Sequence, residues 1–128
     1  MQESPATVPL RFFMGLRQQQ YDRVWQCLSR YSRQVLLETL FQSLKSGTCT
    51  SEQLAKDFEA GQGWAQTYWQ DFARHLQLEV WLTQTYKPYG RSQQQALVHA
   101  APANLMLIVV AEDNQWHFGY FETFLDQA

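Results

Sequence analysis

The sequence predicts an α+β fold, with N-terminal helices packed on one face of an antiparallel sheet of about four strands. Three observations carry that expectation. Residues 105–110, LMLIVV, are apolar at every position, so as a strand they call for cover on both faces. A polar break, Glu112-Asp113-Asn114-Gln115, separates them from the aromatic run WHFGYFETF. That run suits a pleated, packed surface, and the two together read as an antiparallel hairpin. Upstream, apolar residues recur at helical spacing as far as Leu76, and the period changes to two at Leu78. Helices in one run and strands in the next mean α+β.

The elements follow in order. Val8, Phe12 and Leu16 stand at i, i+4 and i+8, with Phe13 widening the stripe. Ser4-Pro5 offers a start for this helix. Pro9 argues for a beginning near Thr7, because a proline inside the first full turn removes a bond. The Gln18–Gln20 triplet ends it. Tyr21, Val24, Trp25 and Leu28 form one apolar face of a second helix. Ser32 is placed as the cap of a third, with Val35, Leu36, Leu40, Phe41 and Leu44 on one face and Gly47 as its stop. Thr50 followed by Gln53 has the capping-box form and starts a helix carrying Leu54 and Phe58. Gly61-Gln62-Gly63 marks a break or a sharp bend, and Trp64 to Leu76 resumes helical spacing. Leu78, Val80 and Leu82 then alternate with Glu79, Trp81 and Thr83, the period of a half-covered strand. Lys87-Pro88-Tyr89-Gly90 is a turn by composition. A strand over 95–100 and a turn at Ala101–Asn104 lead into the hairpin.

These elements make one domain, 1–128, with a helical part at about 5–76 and a sheet part at about 78–125. At 128 residues and 15.0 kDa such a chain buries about two-thirds of its unfolded surface without staples. Ten basic against twelve acidic side chains, with no basic run beyond isolated pairs, leave no electrostatic footprint for nucleic acid or anionic lipid. No apolar run approaches the ~20 residues of a membrane helix, and MQESPATVPL lacks the basic start and apolar stretch of a secretory signal. Cys27 and Cys49 have no partners at metal-ligand spacing, and two free thiols in a reducing cytoplasm are the simpler expectation.

A family pattern is also present. Ser4-Pro5, Val8, Phe12-Phe13 and Leu16, then Gln20-Tyr21-Asp22 and Trp25…Leu28-Ser29, resemble the opening of small NTF2-like (SnoaL-like) domains. Asp113-Asn114-Gln115-Trp116 before a last aromatic strand resembles their closing signature. The likeness covers both ends and the element order, which cystatin-like domains share; the middle, about Gly47 to Gln77, does not align. The resemblance implies a strongly curved sheet wrapped around helices into a cone with an apolar pocket, and pairing of two copies through the outer sheet face. The family holds enzymes, adaptors and domains without activity, so fold alone decides nothing about function.

Enzymes of that fold place a carboxylate, a Tyr or a His inside the cone, where burial shifts its pKa. No such arrangement aligns here. Asp22, Glu38, Glu52, Asp57, Glu59 and Asp71 fall on polar faces, where solvated charge is the plainer account. His99 shares a side with Leu97; if that side is concave, His99 is the candidate base, against the blander role of a structural histidine. His117 has the opposite parity to Trp116 and Phe118. His75 sits near a helix C-terminus, where a cation is stabilised. No two histidines have metal-ligand spacing, so neither metal nor cofactor is expected. Trp25, Tyr68, Trp69, Phe72 and Trp116, with Tyr31 and His99, are the candidate lining of a pocket for a small apolar ligand, although aromatics at this spacing are more often plain core. Trp81, on the strand face opposite Val80, is the candidate dimer contact, because an exposed Trp on a sheet suggests an interface.

Two functional expectations follow. One is a non-catalytic NTF2-like module that binds a small apolar ligand or pairs as a dimer. The other is a cofactor-independent acid–base enzyme of isomerase or dehydratase type. The enzyme requires an ionisable group within about 3 Å of a second polar group inside an open cavity.

Overall fold

The computed structural model describes residues 3–125. Six helices precede the sheet: α1 Thr7–Arg17, α2 Tyr21–Cys27, α3 Arg30–Ser43, α4 Ser51–Ala60, α5 Trp64–Leu76 and α6 Leu78–Leu82. Four strands follow, β1 Thr85–Arg91, β2 Gln95–Ala101, β3 Leu105–Glu112 and β4 Gln115–Phe118, and a π-helical turn spans Phe121–Leu125. The strands form a curved, open antiparallel sheet in the order β1-β2-β3-β4. The fold is α+β, helices first and sheet last.

The central helix is α1. It begins at Thr7 and buries Val8, Phe12, Phe13 and Leu16 completely or nearly so. Phe12 meets the rings of Trp69, Phe118 and Tyr120 at centroid distances of 5.9, 4.6 and 5.8 Å, joining α5 to the sheet through α1. Gly15 lets α2 come close, since a Cβ there would lie 2.8 Å from Val24 Cγ2. The break between α4 and α5 is real. Gly61 takes the left-handed conformation (φ 70°) that ends α4, and a Cβ on it would lie 2.3 Å from the Asp22 amide.

Three expectations need correction, two at the helix-to-sheet junction and one at the end of the sheet. Residues 78–82 are helical, so the sheet part begins at Thr85 and not at 78. Leu78, Trp81 and Leu82 are the half-buried members of that stretch, while Glu79 and Val80 are exposed. That is i, i+3, i+4 spacing, which five residues cannot distinguish from alternation. Lys87–Gly90 is no turn; it lies within β1 and is bent by a bulge between Pro88 and Gly90. The last strand stops at Phe118, and Tyr120 and Phe124 reach the core from the bend and the π-helical turn behind it.

The cap of α3 also moves. Ser29, not Ser32, is the N-cap, accepting from the Ser32 amide at 3.1 Å. The two serines are fully buried and their hydroxyls hydrogen-bond at 2.9 Å. Ser32 Oγ also accepts from the Phe121 amide at 3.0 Å, and the Ser29 amide donates to Phe118 O at 2.9 Å. This polar seam fastens the start of α3 along the free edge of β4, where Leu28 and Phe118 form a parallel bridge.

The hairpin is as expected. β3 and β4 pair antiparallel with Glu112 opposite Gln115. Asp113 and Asn114 both take positive φ, 51° and 60°, as a two-residue turn between right-twisted strands demands.

Candidate functional site

Strand register sorts the sheet's side chains into two faces. Ala96, Val98 and Ala100 of β2, Leu107 and Val109 of β3, and Trp116 and Phe118 of β4 are buried and face the helices. The opposite face carries Leu97 paired with Ile108, His99 with Met106, Gln95 with Val110, and Val110 with His117. Helix α1 packs against β1, β3 and β4 from the inner side. β3 therefore departs from the expectation for LMLIVV: its inner face is buried, while on the outer face Met106 is exposed and Ile108 and Val110 are half-buried, next to the π-helical turn whose Thr123 Oγ1 accepts from the Ile108 amide at 2.9 Å.

The inner region is filled by rings. Tyr68, Trp69 and Phe72 come together on α5 as expected for a pocket lining, but they pack against protein. Trp69 is fully buried, 5.3 Å from Tyr120 and 6.0 Å from Phe72. Phe72 lies 5.5 Å from Phe124. Trp25 continues the cluster through Phe58 at 5.0 Å, with the Arg33 guanidinium 5.8 Å over its ring. Trp116 is buried further along the inner face, beside the β1–β2 connection at Arg91–Gln93. Tyr31 stands apart, exposed on α3 with its ring edge-on to Phe121. Trp81 lies on α6, where its ring stacks on Phe13 at 5.1 Å. The reason for assigning it to a sheet interface is gone.

One polar pair sits in the aromatic region, the hydroxyls of Tyr68 and Tyr120 at 2.5 Å. Burial raises the pKa of both above the ordinary phenol range, and for Tyr120 the neighbouring Tyr68 raises it further. Both phenols are thus neutral near pH 7, one hydroxyl donating to the other, and neither supplies a base. The Tyr120 ring is enclosed by Phe12, Trp69, Phe72 and Phe124. Tyr68 alone reaches a cleft of about 290 Å³ beside Leu40, Trp64 and Asp71.

His99 does share a side with Leu97, and that side is the outer one. Its Nε2 lies 2.7 Å from Asn104 Oδ1, and its ring is 6.3 Å from that of Tyr89. The candidate base is thus tied to the β2–β3 turn, away from the aromatic interior. His117 Nδ1 is shielded from solvent with no hydrogen-bond partner. At the hairpin end of the sheet, Glu112 accepts from the Arg30 amide at 3.0 and 3.1 Å. Asp113 pairs with the Arg30 guanidinium, which holds its carboxyl below the usual carboxylate range.

The outer face is thus apolar in the middle (Leu97, Met106, Ile108, Val110) and polar around it (Lys87, Gln95, His99, Gln115, His117). Sequence patterning missed Leu97, Met106 and Ile108 as surface residues, although strict alternation of Leu97 with Val98, and of Met106 with Leu107, carried the signal. No group of three or more His, Cys, Asp or Glu side chains able to hold a metal occurs among the described residues, and none of their helices is long and apolar enough to cross a membrane. Comparison with protein-family models, with curated proteins and with solved structures found no match to this chain.

Proposed function

We propose that this chain is a non-catalytic NTF2-like interaction module that pairs with a second copy through the outer face of its sheet. The carrying observation is β3, apolar at six successive positions, 105–110, with Leu107 and Val109 buried against the helices, Met106 exposed and Ile108 and Val110 only half-buried on the other side. Met106 is 40% exposed, and Tyr89 on β1, whose ring lies 6.3 Å from that of His99, is 68% exposed. An apolar centre with a polar rim is the anatomy of an interface. Both sheet edges are protected against strand addition, β1 by Pro88 and its bulge, β4 by the Leu28–Ser29 segment. That leaves the face as the surface for association. The helix-then-sheet order, the curvature and the quoted end motifs support the family reading.

The ligand-binding version has less support, because Tyr68, Trp69, Phe72 and Trp25 contact other rings where a ligand would lie. The acid–base version needs space beside an ionisable pair; Tyr68–Tyr120 has the spacing, but its inner member is enclosed. Sedimentation across micromolar concentrations tests the proposal. A dimer is expected, and Leu97→Glu or Met106→Glu should make it a folded monomer. A wild-type protein that stays monomeric at high concentration ends the reading.

A further inference from the structure

On the helical side of the molecule, α1, α2 and the turn between them line a cleft of about 420 Å³. Its polar walls are Arg11, Gln18, Gln20, Arg23 and Gln26, and Cys27 lies at its base. Two guanidiniums and three amides supply many N–H donors. The contact of Gly15 with Val24 holds the two helices together beside it.

Charge is distributed unevenly along the chain. The first 33 residues hold five arginines against Glu3 and Asp22, net +3, while the remainder is net −5, adding to the −2 of the whole. Glu3 is occupied: its carboxylate pairs with Arg11 and accepts from Thr7 Oγ1 at 2.9 Å. Asp22 does not line the cleft. Behind the wall, Arg33 donates to the Gln26 carbonyl at 2.9 Å. The positive field reaches the cleft base, for the Cys27 thiol is held down by Arg11 and Arg33, although burial outweighs them and pushes it up to about 12.

We propose that this cleft binds a small multivalent oxyanion, a metabolite bearing phosphate or several carboxylates, between Arg11 and Arg23. Paired, charge-assisted hydrogen bonds from guanidinium groups suit such oxygens in geometry as well as charge. The Glu3 carboxylate already rests on Arg11, so Arg11 is in place to receive one, and the incoming anion displaces Glu3.

Titration of the full chain with pyrophosphate and with citrate, against potassium chloride at matched ionic strength, tests this by calorimetry and thermal shift. Saturable binding by either anion is expected, and the stronger of the two identifies phosphate or carboxylate as the preferred chemistry. Arg23→Gln and Arg11→Gln should each weaken it about tenfold or more, the scale of a lost charged hydrogen bond. Glu3→Gln should tighten it by removing the internal competitor, and Arg74→Gln on α5 should leave it unchanged. Arg11 and Arg23 are exposed, so the variants are expected to fold, and circular dichroism checks that they do. A response no larger than that to chloride, or one that survives Arg23→Gln, overturns the proposal.

Discussion

The two faces of β3 are built from the same kind of residue and do opposite things. Leu107 and Val109 are fully buried against α1 and its aromatic neighbours. Met106, one position out of phase, is exposed, and Ile108 and Val110 are half-buried, paired with Leu97, Gln95 and His117 and, at Ile108, bonded to Thr123 of the π-helical turn. Apolar composition alone therefore does not locate the core; cover does. The inner face has its cover from the helices within residues 7–82 together with Tyr120 and Phe124. On the outer face Met106 is exposed and Ile108 and Val110 are only half-buried, and this asymmetry is the observation behind the proposed pairing with a second copy.

The largest expected effect sharpens that contrast. Phe12→Ala removes a ring packed against Phe13, Trp69, Phe118 and Tyr120 and should destabilise the fold by about 3–5 kcal/mol. Met106→Ala on the outer face should stay within about 0.5 kcal/mol when the protein is dilute enough to be monomeric. Urea unfolding of both variants is the measurement. Comparable losses would mean that the outer face is covered after all. A smaller effect is expected at the seam that closes the inner side. Ser32→Ala deprives the Phe121 amide of its acceptor and Ser29 of its hydroxyl partner, a loss of about 1–3 kcal/mol. A change under about 0.5 kcal/mol would show that water replaces the serine there.

Much of this was legible from residues alone, for reasons that differ by element. Helix α1 was readable because Val8, Phe12 and Leu16 repeat over three turns, and the hairpin because Asp113-Asn114 is turn chemistry. Helix α6 was not, since Leu78 to Leu82 is too short for a period to show. The left-handed Gln77 (φ 60°) that separates it from α5 leaves no mark in composition. Ser29 and Ser32 are both good caps, and the choice between them depends on the β4 edge, 89 residues downstream. The same limit applied to function. Strand parity correctly paired His99 with Leu97, but which side is concave depends on where α1 docks. Trp81 was assigned outward from a strand that does not exist.

An effect that grows gradually with pH tests the inner region by its protons. In the unfolded chain the Cys27 thiol ionises near 9.0 and the phenols of Tyr68 and Tyr120 near 10.0; in the folded chain burial raises all three, the thiol to about 12. From pH 9 upward the unfolded state therefore holds fewer protons than the native state, and stability must fall as pH rises toward those native values. The contribution of these groups is fully present below pH 9. Each can add a slope of up to about 1.4 kcal/mol per pH unit. Urea midpoints at pH 8, 9.5 and 10.5 should decline progressively, and Cys27→Ala should reduce the decline from pH 8 to 9.5, where the thiol contributes more than either phenol. Absorbance should show the Tyr68 and Tyr120 phenols ionising only as the protein unfolds. Midpoints that stay level through pH 10.5 would place these groups in contact with water, and the contrast between a sealed inner face and an open outer one would lose its chemical support.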